Sequence, residues 1–230
     1  MPLGSNASEG GLFLVTSRIN HSCRHNSQNT WNANLNQITI HAFEDIEEGE
    51  EITISYVDGS KNYADRQRIL NNSFGFTCAC SLCSLPTTER EASDRRLDEI
   101  TRLDDSIGDG ISIVRAPLEC LQNAHGLLLL LEDEGTTDAR VPRLYYDAFQ
   151  IAIANGDQAR AKVLAERARD ARAILEGEDS PETIRLQGFA RAPAEHTLFG
   201  TSIKWKQAVN KIPQSMNDEE FENWLWRRTR

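Results

Sequence analysis

The sequence predicts an α+β protein in which a small strand-rich module, stapled by cysteines, precedes a long all-α region. Three observations carry that expectation. Two runs with period-two alternation, Gln37-Ile38-Thr39-Ile40 and Glu51-Ile52-Thr53-Ile54-Ser55-Tyr56, fall early in the chain. Cys78, Cys80 and Cys83 crowd into one short loop. Beyond Pro86-Thr87-Thr88, which marks a boundary, apolar residues recur at helical spacing.

From Gly11 to Tyr56 the chain reads as strands joined by polar, Asn-rich loops. In the second run Ile52, Ile54 and Tyr56 would share one face, so the tyrosine should point inward and find a polar neighbour for its phenol. The acidic connection from Glu44 to Glu50 carries no histidine or cysteine to complete a metal set, and Gly49 suits a tight turn. Lys61 to Asn72 turns helical and leads through Ser73-Phe74-Gly75-Phe76-Thr77 into the cysteines.

Past the boundary, helices are expected at Glu89 to Asp105, Pro117 to Asp133, Arg140 to Ala154, Gln158 to Leu175 and Glu182 to Arg191. Asn155-Gly156-Asp157 reads as a helix end followed by the next N-cap, and Ser180-Pro181 as an N-cap with proline at the first helical position. Ala161, Leu164, Ala165, Ala168, Ala171, Ile174 and Leu175 form a small-residue face suited to close packing. The hairpin around Gly156-Asp157 is tetratricopeptide-like, although one unit falls short of the three or so that a free-standing array needs. The final segment, with Trp205, Trp224, Trp226 and Arg227, Arg228, Arg230, is either a docking helix or an irregular tail.

Composition bounds the function. Hydrophobic residues at 39% and charged residues at 26% are the balance of a folded chain. A formal net charge of −10 argues against a phosphate backbone as the main ligand and favours a protein partner. No stretch approaches the roughly 20 apolar residues of a membrane span. Met1 to Gly11 lacks the basic start and apolar stretch of a secretion signal, so the expected compartment is intracellular, nucleus or cytoplasm or both. In a reducing compartment five cysteines should not pair as disulfides, and a tight cluster is first considered as a metal site.

Structural zinc takes four ligands in a tetrahedron, and the loop at 78–83 supplies three. Cys120 lies in an apolar helical run and behaves as a small hydrophobe. Cys23, in the polar loop Asn20-His21-Ser22-Cys23, is the better fourth candidate, and would tie together loops 55 positions apart (78 minus 23).

Arg18-Ile19-Asn20-His21-Ser22-Cys23, then Gly49 to Tyr56, then Cys78-x-Cys80-x-x-Cys83, in that order, resemble a SET-domain lysine methyltransferase of the SET-and-MYND branch. The resemblance implies a partial SET β-fold over residues 1–60, a post-SET zinc segment over 61–86 and a helical C-terminal region over 87–230. It implies S-adenosylmethionine as cofactor, with contacts from Asn20 and His21, lesser ones from Ser17 and Ile19, and Phe76 packed on it. Phe74 would line the lysine channel, Tyr56 would be the catalytic tyrosine, and Cys23, Cys78, Cys80 and Cys83 would bind structural zinc. The substrate would be a histone or another protein.

Two departures stand out. The family usually has proline before the last asparagine of its cofactor loop, whereas this chain reads Cys23-Arg24-His25-Asn26. No Gly-x-Gly cofactor segment, MYND module or early SET strands precede Gly11, so impaired catalysis is one expectation. The competing reading is a non-catalytic, zinc-stabilised interaction module derived from such an enzyme. A zinc-dependent nucleic-acid binder is disfavoured by the acidic charge.

Overall fold

Backbone pairing near the N-terminus is sparse in the computed structural model, which describes residues 10–107 and 110–228. Among the described residues four short strands occur: β1 (Asn20–His21), β2 (Ser27–Asn32), β3 (Gln37–Ala42) and β4 (Thr53–Ile54). β2 and β3 form an antiparallel hairpin, with Ser27 opposite Ala42 and Asn32 opposite Gln37. β1 and β4 pair in parallel, Asn20 opposite Thr53 and His21 opposite Ile54.

The alternation from Glu51 to Tyr56 yields only two ladder residues, because a side chain takes the place of a strand. Asn26, 4% exposed, accepts from the Thr53 N–H through Oδ1 at 2.9 Å and donates through Nδ2 to the Glu51 carbonyl at 3.0 Å. Ser27 Oγ donates to the Thr53 carbonyl at 2.8 Å. Ile54 is buried, but Ile52 is 51% exposed, so the expected inward face shrinks to Ile54 and Tyr56.

Helix α1 (Tyr63–Phe74) starts at Asn62, whose side chain accepts from the Asp65 N–H, and stops at Gly75 in the left-handed region, φ 76°. That reversal, which glycine adopts without a Cβ penalty, sends the chain from Phe74 to Phe76 and into the cysteines. Leu70 of α1, Cys78 and Cys83 form a buried cluster with Tyr56, Val57, Tyr63 and Phe76 around it.

The remaining helices are α2 (Thr87–Ile107), α3 (Ser112–Arg115), α4 (Pro117–Asp133), α5 (Arg140–Ala154), α6 (Gln158–Glu176), α7 (Pro181–Arg191) and α8 (Asp218–Leu225). Two compact units result: Met1–Glu99 with Ala173–Pro181, and Ile100–Arg172 with Glu182–Arg230. In the second, the buried stripe Cys120, Leu121, Ala124, Leu127, Leu128 and Leu131 of α4 packs on α5, which buries Leu144, Ala148, Phe149 and Ala152. Cys120 is therefore a core residue. Ala161, Leu164, Ala165 and Ala168 of α6 are fully buried, whereas Ile174 at its far end is 57% exposed. Asp157 Oδ1 accepts from the Arg160 N–H, capping α6 as its sequence position implied. No helix among the described residues is long and apolar enough to cross a membrane.

Two stability predictions follow from these environments. A Cβ at Gly177, φ 90°, would lie 2.9 Å from Asp179 Oδ1 and 3.0 Å from His41 Cε1. Gly177→Ala should cost about 1–3 kcal/mol in urea unfolding, and an unchanged midpoint would contradict the crowding. Asp147 is pushed up to about 6 by burial, with Asp104 adding to and Arg143 opposing the shift. The native state then holds a proton that the unfolded chain has released, so this group lowers stability as pH rises from about 4 to about 6. Asp147→Asn should stabilise the protein by about 1–2 kcal/mol at pH 7 and give no gain near pH 4, as read from thermal melts.

Candidate active site and metal centre

Two chain segments far apart in sequence meet at the cysteines. Ser84 N–H donates to the Cys80 carbonyl at 2.9 Å, closing a turn that turns the sulfurs of Cys80 and Cys83 toward one point. Cys78 is fixed by Gln67 of α1, whose Oε1 accepts from the Cys78 N–H at 2.9 Å and whose Nε2 donates to its carbonyl at 2.8 Å. Cys23 arrives from the loop after β1.

All four sulfurs lie within 4.8 Å of one another, with Cys23 to Cys83 at 3.6 Å and Cys23 to Cys78 at 4.0 Å. Tetrahedral zinc at about 2.3 Å from each thiolate requires sulfur separations of about 3.8 Å, so the cluster fits such an ion. Thiol hydrogen bonds from Cys23 and Cys83 lower the Cys80 pKa, while Cys23 is raised, first by its bond to Cys80. Cys80 is thus the thiolate that its neighbours stabilise, while Cys23 and Cys83 are raised beside it, Cys83 to about 12.

His21 joins this cluster to the tyrosine. The Tyr56 N–H donates to His21 Nδ1 at 3.1 Å, and His21 Nε2 lies 3.3 Å from Cys23 Sγ. Because Nδ1 is an acceptor, the neutral ring carries its proton on Nε2 and donates it to the sulfur. Burial lowers the His21 pKa, which favours that neutral form. Both ring nitrogens are thus engaged inside the chain.

The Tyr56 hydroxyl donates to the Ile19 carbonyl at 2.5 Å, so its lone pairs stay free to accept. Around it stand Phe74 at 4.9 Å, His21 at 5.3 Å and Phe76 at 6.5 Å between ring centroids. Phe74 is half exposed, which leaves this aromatic group accessible on one side. Asn20 is exposed and donates to Glu51 Oε1, and Ser17, within a 3₁₀ turn, donates through Oγ to the Leu14 carbonyl at 3.3 Å. The structure therefore gathers Ile19, His21, Tyr56, Phe74, Phe76 and the four cysteines, with Asn20 next to His21 in β1, whereas the bonds of Ser17 are local, to Leu14 and Phe13.

Gln67 and Arg66 were not legible as site residues, and Asn26 was read only as part of the cofactor loop and not as the partner of Thr53. Arg66 is 1% exposed on the α1 face that carries Leu70, donates to the Lys61 carbonyl at 2.6 Å, and makes its positive charge felt at His21. Four thiolates around a divalent ion carry two net negative charges, which a buried guanidinium on this face would offset. A Gln-Arg pair in an ordinary helix gives no signal of this from sequence.

Comparison with known proteins fits this arrangement. The family profile described as SET domain matches residues 3–57. Histone-lysine N-methyltransferase set5 of Schizosaccharomyces pombe is 36% identical over 241 residues, covering 98% of this chain and 71% of that protein. The chain belongs to the SET-domain family of lysine methyltransferases. Histone-lysine N-methyltransferase ATXR4 of Arabidopsis thaliana is 38% identical over 80 residues, 35% of this chain and 24% of that protein. Protein-lysine N-trimethyltransferase SMYD5 of Gallus gallus is 32% identical over 114 residues, 45% of this chain and 27% of that protein. The SET-profile match ends one residue after Tyr56, and the fission-yeast similarity continues through the helical region.

His21→Ala removes both bonds of the link. Metal retention against a competing chelator should fall about tenfold or more while the cysteines remain, as expected when a partner of a metal ligand is lost. Equal retention by the variant and the parent chain would show that the ring does not support the sulfur.

Proposed function

We propose that this chain carries out S-adenosylmethionine-dependent methyl transfer to the amine of a protein lysine, on a histone or another nuclear or cytoplasmic protein. The observation that carries the reading is the junction of Tyr56, His21 and the cysteine cluster, with Phe74 and Phe76 beside it. In this reading residues 1–60 are SET-domain sequence, 61–86 a post-SET zinc segment, and 87–230 a helical region of tetratricopeptide-like character.

S-adenosylmethionine, when bound, would supply a methyl group on a sulfonium sulfur, and zinc would be held by Cys23, Cys78, Cys80 and Cys83 and tie their two segments together. The protein's own part is positioning and desolvation. The Tyr56 oxygen, its proton committed to the Ile19 carbonyl, accepts an N–H from the lysine amine and fixes the direction of its lone pair. Phe74 and Phe76 remove water from that amine, which favours its neutral, nucleophilic form. Asn20, His21, Ser17 and Ile19 hold the cofactor through backbone and exposed polar groups. The link from His21 to Cys23 fixes the height of Tyr56 relative to the metal-bound loop.

A second reading draws on Leu12, Leu14 and Val15, which are 81%, 77% and 82% exposed. That much bare apolar surface favours a partner-binding role, with the zinc-stabilised unit serving as an interaction module.

The test is calorimetric titration of zinc-loaded protein with S-adenosylmethionine, together with radiomethyl transfer to core histones. The parent chain should bind and transfer. Tyr56→Phe should keep cofactor binding and lose transfer by roughly a hundredfold, and chelation should abolish both. Cofactor binding with no transfer by the parent chain would select the second reading, and no cofactor binding at all would overturn the enzymatic one.

A further inference from the structure

One stretch of the second unit gathers cations without carboxylates, in a protein whose net charge is −10. Residues 202–207 are irregular but held by the turn between α5 and α6. Ser202 N–H donates to the Ala154 carbonyl at 2.8 Å, Trp205 N–H to Asn155 at 2.9 Å and Gln207 N–H to Gly156 at 3.0 Å, and Gln158 N–H returns a bond to Gln207 at 3.0 Å. This fixed strip presents Lys204, Trp205 and Lys206, and the following turn adds Lys211. With Arg227 they line an open cavity of about 590 Å³ whose lining contains no carboxylate.

Arg227 is the hinge of the surface. Its guanidinium pairs with the fully buried Asp157 at 2.8 Å and lies 4.2 Å from the centre of the Trp205 ring. It does so from a left-handed backbone conformation, φ 51°, where glycine would be less strained. On its other side a second open cavity of about 560 Å³ is lined by Trp224, Arg160, Arg227, Arg228 and Glu220. Asp157 is already saturated by Arg160 at 2.7 Å and by Arg227. Among the described residues, Lys206, Lys211 and Arg228 form no ion pair. Ile203, 74% exposed, and Val209, 39% exposed, add apolar surface beside these cations.

We propose that this strip docks a short acidic peptide segment with interspersed apolar side chains. Carboxylates would meet Lys206, Lys211 and Arg228, and an apolar side chain would lie on Ile203 and Trp205. The field is local, since charges more than about 8 Å apart are screened at physiological salt. The second cavity sets Glu220, from the acidic first turn of α8, beside Arg228, so the uniform charge of a nucleic acid would meet a carboxylate there, whereas a short peptide can place one carboxylate at Arg228 and an uncharged residue opposite Glu220. The surface is independent of the methyltransfer chemistry, so it stands or falls separately.

The test is fluorescence anisotropy of the full chain with a short fluorescein-labelled peptide of glutamates and interspersed leucines, with a single-stranded oligonucleotide of equal charge as competitor. Saturable, salt-sensitive binding should weaken about tenfold or more in Lys206→Glu/Lys211→Glu, a surface pair whose circular dichroism should match the parent. Arg228→Glu should weaken it independently. Absence of binding, or equal binding by the charge-reversed variants, overturns the proposal. An oligonucleotide that binds more tightly and displaces the peptide overturns it in favour of a nucleic-acid partner.

Discussion

Four thiols converging from positions 23, 78, 80 and 83 are the constraint on which the first unit depends. Its ladders are too short to hold it: β1 and β4 share two residues, and the β2–β3 hairpin alone is marginal in water. A structural metal held there would supply order that so small a sheet cannot, by closing a loop of more than fifty residues at one point. The neighbours of the cysteines serve the same end. Gln67 fixes Cys78 from α1, and His21 fixes Cys23 from β1.

The same constraint places the chemistry. His21 touches both the Cys23 sulfur and the Tyr56 amide, so structural and reactive parts of the site share one imidazole. Tyr56 is held at its backbone by His21 and at its hydroxyl by the Ile19 carbonyl. A residue gripped at both ends has little freedom left to lose, and in the proposed reading that is what the fold would contribute to methyl transfer without a general base. The aromatic neighbours Phe74 and Phe76 come from the segment between α1 and the cysteines, so the staple also sets the distance across the pocket.

Much of this was legible in the sequence because spacing rules are local. The cysteine triplet, the proline that opens α4 at Pro117 and the turn at Asn155-Gly156-Asp157 each announce themselves within a few residues, and α4 begins and α5 ends where those signals stand. Cys23 could be set against Cys120 because one sits in a polar loop and the other in an apolar stripe. What stayed hidden depends on partners distant in the chain. Asn26 replaces a strand partner for Thr53, which truncates β4 and exposes Ile52 despite a good alternating pattern. The roles of Gln67 and Arg66 exist only once α1 lies against the cysteines. Trp205 and Arg227 were conspicuous as residue types, yet their stacking depends on the turn at residues 155–157, which no local rule connects to them.

The account rests on one ion bound by four sulfurs, and zinc K-edge X-ray absorption of the purified chain addresses it most directly. It predicts one zinc per chain with a single shell of four sulfurs at about 2.3 Å and no nitrogen or oxygen neighbour. A shell in which light atoms replace one or more sulfurs, or a chain that folds and binds cofactor without zinc, would contradict it.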